Sequence, residues 1–257
     1  YREIIRSFTL LDDVFMTAVF QDSLPCVDLV LQIILEKPNL RATSVVTQDT
    51  LKNLHGHDVR LDIHAFADGQ EFNIEIQRAK RGAEPRRARY HSSMMDAREL
   101  QKGEEVTELP ETYVVFITEK DVLGKGLSRY HIERTIKETG EDFGDRSHII
   151  YVNGTIQDET PLGRLMHDFF CQDAEKMYYE ELRNRASFFK NEEGGRVEMC
   201  KIMDEIRQEG VNWGMERDRL ESLRTIMQTM RLSEDEAMNA LLIPPEKRAK
   251  YKELLAQ

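Results

Sequence analysis

The 257-residue sequence contains only three cysteines, Cys26, Cys171 and Cys200. They are far apart in the chain, and no two of them have the Cys-x-x-Cys spacing typical of zinc sites and redox motifs. An odd number of widely separated cysteines also argues against a disulfide framework. We therefore expect reduced thiols and a cytoplasmic protein.

Long hydrophobic runs are absent as well. No apolar stretch approaches the ~20 residues that a membrane-spanning helix needs, and the first residues, Tyr1-Arg2-Glu3-Ile4, lack the pattern of a signal peptide. The content of 40 % hydrophobic and 32 % charged residues is typical of globular proteins. The sequence therefore predicts a soluble globular protein that does not bind a membrane.

Positive charge is in the minority, with 36 Lys and Arg against 47 Asp and Glu and a net charge of −11. This balance argues against a surface covered with basic patches, which is usual in nucleic-acid-binding proteins. Residues 78–98 depart from it, because they contain only two acids and seven basic residues: Arg78, Lys80, Arg81, Arg86, Arg87, Arg89 and Arg98. This basic segment is either the solvated face of a helix or a local patch that neutralises phosphates.

A pair of acidic residues flanks a turn just before the basic segment. Residues 59–67 and 70–77 alternate in polarity on either side of Asp68-Gly69, which predicts a β-hairpin with a two-residue type I′ turn. In that register Ala67 pairs with Gln70, so that Asp62 lies directly opposite Glu75. Gln77 lies on the same face of the hairpin.

This pair of carboxylates has an energetic consequence. The Cβ atoms of directly opposed residues are roughly 4.5–5.5 Å apart, a distance at which like charges are destabilising. The two carboxylates therefore reach into water, share a proton or hold a cation. Magnesium takes oxygen ligands, often one or two carboxylates together with waters and substrate phosphates. The alternative is a solvated outer face of the sheet, where acidic residues are common.

The order of the predicted elements gives the fold class. Helix, helix, strand, hairpin, helix and further strands follow one another up to about residue 158, and the pattern is helical from there on. Thr9, with Asp12 three residues later, is the predicted N-cap of a helix that runs to about Phe20. Ser233 and Glu236 have the spacing of a capping box. The sequence predicts an α/β core followed by helices.

An acid, a turn and Glu-x-Gln followed by a basic helix resemble the PD-(D/E)XK nuclease superfamily. The sequence is most similar to its recombination-promoting nuclease (Rpn) branch of transposase-like proteins. Single motifs are weak, whereas their ordered set is specific: Asp12–Met16, Arg60–Asp62, Asn73–Ala79, Arg86–Ser93, Leu109–Tyr113, Phe143–Asp145, Tyr151–Gly154 and Leu165–Phe169. The resemblance implies a restriction-endonuclease-like core in residues 1–158, with a mixed central sheet flanked by helices, and a helical C-terminal region in residues 159–257.

The resemblance also implies an activity and its residues. A member of this branch would be an endonuclease that hydrolyses DNA with Mg²⁺ or Mn²⁺ in recombination or transposition. Asp62 and Glu75 would hold the ion, and an acid of the first helix, Asp13 rather than Asp12, would join them. Gln77 would stand where many members have a catalytic lysine. Further residues would contact the DNA backbone or support the carboxylates: Arg78, Arg86, Arg87, Arg89 and Tyr90.

Other interpretations remain open. Glutamine supplies neither positive charge nor a transferable proton, so the alternative function is a weak or inactive nuclease fold that binds nucleic acid or protein. Asp12 and Asp13 would also complement the N-terminus of a helix without any role in a site. His64 and His91 are not predicted to act as bases. A homodimer is compatible with the sequence, whereas a sugar hydrolase would need more aromatic residues near the hairpin than Phe66.

Overall fold

The computed structural model describes residues 2–53, 57–100 and 103–256. Six strands form one mixed sheet in the order β1-β2-β3-β4-β6-β5. The strands are β1 Ala42–Leu51, β2 Val59–Ala67, β3 Gln70–Gln77, β4 Glu111–Thr118, β5 Arg129–Ile132 and β6 Ser147–Asn153. β1, β2 and β3 are antiparallel neighbours, β4 is parallel to both β3 and β6, and β5 is antiparallel to β6. The predicted mixed central sheet is confirmed.

Helices flank this sheet and continue after it. They are α1 Arg2–Ser7, α2 Asp13–Phe20, α3 Leu24–Leu35, α4 Pro85–Glu99, α5 Pro161–Phe170, α6 Glu180–Asn191, α7 Glu193–Met230, α8 Glu234–Ala240 and α9 Pro245–Ala256. α4 connects the parallel strands β3 and β4, and its residues Ala88 and Met95 share an apolar cluster with Val114 and Phe116 of the sheet. Successive residues of a strand point to opposite faces, so Tyr113 lies on the other face of the sheet from Val114. There its hydroxyl accepts a hydrogen bond from Lys37, which lies two residues after the end of α3. α3 and α4 therefore cover opposite faces of the sheet.

Among the described residues, no single helix combines the length and the apolar composition that crossing a membrane requires. α2 and α3 meet that requirement only when they are taken together, and they are bent by 107° relative to each other. Most residues of α2 and five residues of α3 are buried inside the protein.

The hairpin of β2 and β3 forms as the Asp-Gly turn predicts. Asp68 and Gly69 have φ values of 49° and 75°, and a type I′ turn requires positive φ at both positions. The pairing runs from Ala67 and Gln70 to Ile63 and Ile74, which is the predicted register. The alternative of a solvated outer face is wrong, because Asn73 and Glu75 on that face are fully buried.

The second helix begins later than the sequence predicted. α2 starts at Asp13, with Asp12 in the N-cap position. Thr9 does not cap it; instead its backbone N–H and its hydroxyl both donate to the carboxylate of Asp12. A turn at residues 9–12 thus precedes the helix, because the side chain of Asp12 binds backwards along the chain.

The helical region is divided differently from the predicted boundary between residues 158 and 159. The chain forms two compact units, residues 1–200 and 201–257. α5 packs against α3, and α6 packs against α1, α2 and α3, so both helices complete the first unit. The amphipathic pattern of α5 and α6 shows that one face of each helix is buried but does not identify what it is buried against.

The second unit has a small core of its own. Leu223, Met238 and Tyr251 are each at most 1 % exposed and lie in one apolar cluster. The predicted capping box is confirmed, because the Ser233 hydroxyl accepts from the Glu236 backbone while the Glu236 carboxylate accepts from the Ser233 backbone. The end of α7 together with α8 and α9 therefore encloses its own hydrophobic cluster.

A buried ammonium group joins α6 to the N-terminal segment. Lys190 is 3 % exposed, and its Nζ donates to the carbonyl oxygens of Arg6, Phe8 and Gln172. It also lies 4.8 Å from the centre of the Phe15 ring. Burial lowers the pKa of Lys190 to about 8. This one side chain therefore joins three carbonyl groups from two separate segments of the chain.

We expect Lys190→Met to lower the free energy of unfolding by about 2–4 kcal/mol. Methionine retains the apolar part of the side chain but removes the donor of three hydrogen bonds, each of which contributes about 0.5–1.5 kcal/mol. Urea denaturation measures this loss. The matched control is Lys176→Met, whose side chain is 75 % exposed, and an equal effect of the two substitutions would contradict the role assigned to Lys190.

Candidate functional site

The predicted carboxylate pair comes together at the point where the backbone pairing of β2 and β3 gives way to side-chain contacts. Beyond the pair Ile63 and Ile74, the backbone N–H of Asp62 donates to Glu75 Oε1 at 3.3 Å. The backbone N–H of Ile76 donates to Asp62 Oδ2 at 2.9 Å. Each carboxylate thus binds the backbone of the neighbouring strand, which fixes both acids at one position of the sheet.

Burial makes the negative charges of this pair electrostatically unfavourable. Glu75 is fully buried, and Asp62 is half-buried. The pKa of Asp62 is raised to about 8, chiefly by burial and then by the negative charge of Glu75, with a smaller effect of Asp13. The sequence left open whether the carboxylates reach into water, hold a proton or hold a cation. With a pKa of about 8, the Asp62 carboxyl group holds a proton at neutral pH in the metal-free protein.

Asp13 lies in the first turn of α2, beside the pair. Gln48 Nε2 donates to Asp13 Oδ1 at 2.6 Å and to Thr17 Oγ1 at 3.2 Å. Gln48 lies in β1 between the positions that pair with Leu61 and Ile63 of β2, and it has a left-handed φ of 55°. The sequence analysis missed Gln48, because no sequence pattern marks a left-handed residue inside a strand of β-branched residues.

Asp12 has different partners from Asp13. Its carboxylate lies 3.2 Å from Arg78 Nη1 and also accepts from Thr9. Within the described part of the chain, no three acidic, histidine or cysteine side chains are grouped as ligands for one ion. Asp13 thus contributes its negative charge next to Asp62, while Asp62 and Glu75 are the two acids in mutual contact.

Gln77 occupies the expected position on β3, but its side chain packs against the following 3₁₀ turn, Lys80–Ala83. A Cβ atom on Gly82 would lie only 1.8 Å from Gln77 Oε1. Glycine at position 82 therefore leaves the space into which the amide of Gln77 fits.

One residue of the basic segment contacts the pair directly. Arg87 Nη2 lies 3.4 Å from Glu75 Oε2, and Arg87 Nε donates to His91 Nε2 at 3.3 Å. His91 is 3 % exposed, and its Nδ1 lies 3.5 Å from Glu75 Oε1 and 3.0 Å from the side-chain amide of Asn73. His91 belongs to the site through these contacts, although its place in the sequence carried no such signal.

The other predicted support residues are distributed differently. The Tyr90 hydroxyl donates to the carbonyl oxygen of His57 and accepts from Asn53 Nδ2 at 2.9 Å, so its contacts lie away from the carboxylate pair. Arg78 lies between Asp12 and Glu119. Arg86 and Arg89 are exposed on α4.

A second polar network lies between α4 and the sheet. His64 is 2 % exposed, and its two ring nitrogens lie 2.8 Å from Asp49 Oδ2 and 2.7 Å from Glu71 Oε1. Arg98 forms an ion pair with the same oxygen of Asp49. His64 therefore bridges two acids, and the network joins the end of α4 to β1, β2 and β3.

The donor set at Asp62 and Glu75 suits a hard divalent cation. Both ligands are oxygen atoms of carboxylates, and magnesium commonly takes one or two carboxylates and completes its shell with water and substrate phosphate. The raised pKa of Asp62 shows that the positive charge of Arg87 does not offset burial and the negative charge of Glu75. A cation would relieve the same repulsion that now retains a proton.

One of the comparisons with known proteins identifies a family. A family model described as PD-(D/E)XK nuclease family transposase matches residues 29–156. The matched segment contains Asp62, Glu75, Gln77 and Arg87, whereas Asp13 precedes it. No curated protein and no solved structure matches the chain.

Proposed function

Because the chain belongs to the PD-(D/E)XK nuclease family of transposases, we propose that it is an endonuclease that hydrolyses DNA phosphodiester bonds with Mg²⁺ or Mn²⁺. The observation that carries this proposal is the contact between Asp62 and Glu75. Burial and the neighbouring charge of Glu75 raise the pKa of Asp62 to about 8, and such perturbed groups are concentrated at functional sites.

Asp62 and Glu75 would hold the ion through their carboxylate oxygens. When bound, the ion would neutralise the pair, polarise the phosphoryl group and lower the pKa of the attacking water. Asp13, fixed by Gln48, adds negative charge at the mouth of the site. The hydrogen bonds from the backbone of residues 62 and 76 hold both carboxylates before the ion arrives.

Gln77 has a more limited role in this proposal than a lysine would have. Its amide donates and accepts hydrogen bonds but carries no charge. We expect it to orient a water molecule or a phosphate oxygen when it leaves its place against Gly82. A moderate loss of rate from Gln77→Ala is consistent with this role.

The exposed arginines of the basic segment would bind the DNA backbone. Arg86 and Arg89 lie on α4, and Arg78 lies directly after β3. Phosphate contacts position a protein on DNA but carry no sequence information. The proposal therefore specifies a phosphodiester substrate and no target sequence.

The second candidate function is a nuclease fold that binds nucleic acid or protein without cutting. One observation favours it, namely the neutral Gln77 packed against the 3₁₀ turn. The net charge of −11 also favours a partner other than DNA.

A plasmid-nicking assay separates the two functions. We expect the wild-type protein to nick supercoiled plasmid with Mg²⁺ or Mn²⁺, and Asp62→Ala to lose that activity. Glu138→Ala, an exposed acid in the segment after β5, is the control and is expected to cut at the wild-type rate. Cutting by Asp62→Ala would contradict the assigned site, and absence of cutting by every protein would favour the binding function.

A further inference from the structure

We propose that Arg87 is a catalytic residue, which binds a non-bridging oxygen of the scissile phosphate and supplies the positive charge that Gln77 cannot. This inference rests on the proposed function and adds a residue to it. Hydrolysis of a phosphodiester increases the negative charge on the phosphoryl oxygens, and a fixed cation at that place lowers the barrier. The following contacts distinguish Arg87 from the other basic residues of the segment.

The first observation is the position of Arg87 next to both acids. Its Nη2 lies 3.4 Å from Glu75 Oε2, and its positive charge lowers the pKa of Asp62 against the stronger effects that raise it. A substrate phosphate bound at these carboxylates would therefore lie within reach of the guanidinium group.

The second observation is that His91 orients Arg87. The guanidinium Nε–H can only donate, so His91 Nε2, at 3.3 Å, must be the acceptor. A neutral imidazole then carries its hydrogen on Nδ1, which lies 3.5 Å from Glu75 Oε1 and 3.0 Å from the side-chain amide of Asn73. Among the described residues Asn73 Oδ1 has no other hydrogen-bond partner, so this amide accepts the hydrogen with its oxygen turned towards His91. Arg87, His91 and Glu75 thus form a closed triangle in which the buried histidine fixes the plane of the guanidinium group.

The third observation is that the arginine keeps donors for a ligand. A guanidinium group has five N–H donors in a planar fork that matches phosphate, and the contacts with His91 and Glu75 use two of them. The side chain is 43 % exposed, whereas Glu75 beneath it is fully buried. The distance of 3.4 Å between Arg87 Nη2 and Glu75 Oε2 is long for an ion pair. The two Nη groups can therefore turn towards a phosphate while Nε keeps its hydrogen bond to His91.

The neighbouring arginines on α4 do not share this position. Arg87 and His91 are four residues apart and lie on the same face of the helix. Arg86 and Arg89 are rotated from Arg87 by roughly 100° and 200° about the helix axis, and both are exposed. They would bind the DNA backbone outside the site, so their loss would affect affinity rather than turnover.

The test compares Arg87→Ala, Arg87→Lys and Arg86→Ala in plasmid nicking with Mn²⁺, together with plasmid binding in Ca²⁺. We expect Arg87→Ala to reduce kcat about a hundredfold or more, the loss typical of removing one transition-state donor, with little change in binding. Arg86→Ala should raise KM several-fold and leave kcat near the wild-type value. Arg87→Lys should retain part of the rate, because it keeps the charge but loses the fork.

Chemical rescue separates catalysis from a structural role. Added guanidinium ion, at concentrations that leave the melting temperature unchanged, should restore part of the activity of Arg87→Ala and none of the activity of Asp62→Ala. If the wild-type protein cuts DNA and Arg87→Ala has the same kcat, the role of Arg87 is overturned and the proposed function is not. The role of Arg87 is also overturned if Arg87→Lys loses as much activity as Arg87→Ala and added guanidinium ion restores none of it. No cutting by the wild-type protein would overturn the proposed function itself.

Discussion

Replacing Asp62 with asparagine is expected to stabilise the metal-free protein at pH 9 while it removes the proposed nuclease activity. Asparagine keeps an acceptor for the Ile76 N–H and offers Glu75 a donor, but it carries no charge. We expect the free energy of unfolding to rise by about 2–4 kcal/mol, since one pKa unit corresponds to about 1.4 kcal/mol. We expect cutting to fall about a thousandfold or more, because a bound metal supplies several kcal/mol to the reaction.

The effect on stability depends on pH in a defined direction. The pKa of Asp62 is about 8 in the folded protein, above the ordinary value of 3.8. The folded state therefore binds more protons than the unfolded state between these values, and stability falls as the pH rises through this window. The gain from Asp62→Asn should be small at pH 4, increase with pH and reach its full size above pH 8.

Urea denaturation of both proteins across this pH range, in the presence of a chelator, measures the effect. Asp68→Asn is the matched control, because Asp68 is exposed at the tip of the same hairpin and asparagine is favoured in a type I′ turn. A gain that does not change with pH, or an equal gain from Asp68→Asn, would contradict the electrostatic explanation.

Divalent metal ions are expected to raise the melting temperature of the wild-type protein by an amount that grows with pH between about 6 and 8. In this range the ion must displace the proton of Asp62, so the apparent affinity should rise up to about tenfold for each pH unit. At metal concentrations above the dissociation constant, each tenfold rise in apparent affinity adds about 1.4 kcal/mol to the free energy of unfolding. This corresponds to about 3–5 °C in melting temperature for a unit of this size.

Thermal unfolding with Mg²⁺, Mn²⁺ or chelator at several pH values tests this expectation, and a pH electrode detects the released proton directly. Ca²⁺ should also stabilise the protein, because it takes the same oxygen ligands. In Asp62→Asn the pH-dependent part of the metal effect should vanish. A metal effect of equal size at pH 6 and pH 8 would show that the ion binds elsewhere.

Both expectations have one physical origin. The backbone N–H groups of Asp62 and Ile76 donate to the carboxylates of Glu75 and Asp62, and these hydrogen bonds keep the two acids together although their charges repel. Groups arranged for a ligand commonly destabilise the protein in its absence. The protein should therefore gain stability from every change that removes this repulsion: binding of a proton, binding of a metal ion or replacement of one carboxylate.

Local rules predicted the hairpin and the pair because the required information lies within a few residues. Asp68-Gly69 selects the type I′ turn, and the turn sets the register that places Asp62 by Glu75. The capping box at Ser233 and Glu236 is equally local. The predicted start of α2 was wrong by three residues. Thr9 and Asp12 have the spacing of a cap, but Thr9 donates to the Asp12 carboxylate instead of capping the helix.

The sequence by itself determined the mixed α/β class, the register of the hairpin and the position of the basic segment after it. Only the tertiary structure decided which arginine meets Glu75, that His91 orients it, and that Gln48 holds Asp13 from a left-handed position in β1. It also placed α5 and α6 in the first unit. These features depend on contacts between residues distant in the chain, and the periodicity of one segment shows which face is buried without showing which neighbour covers it.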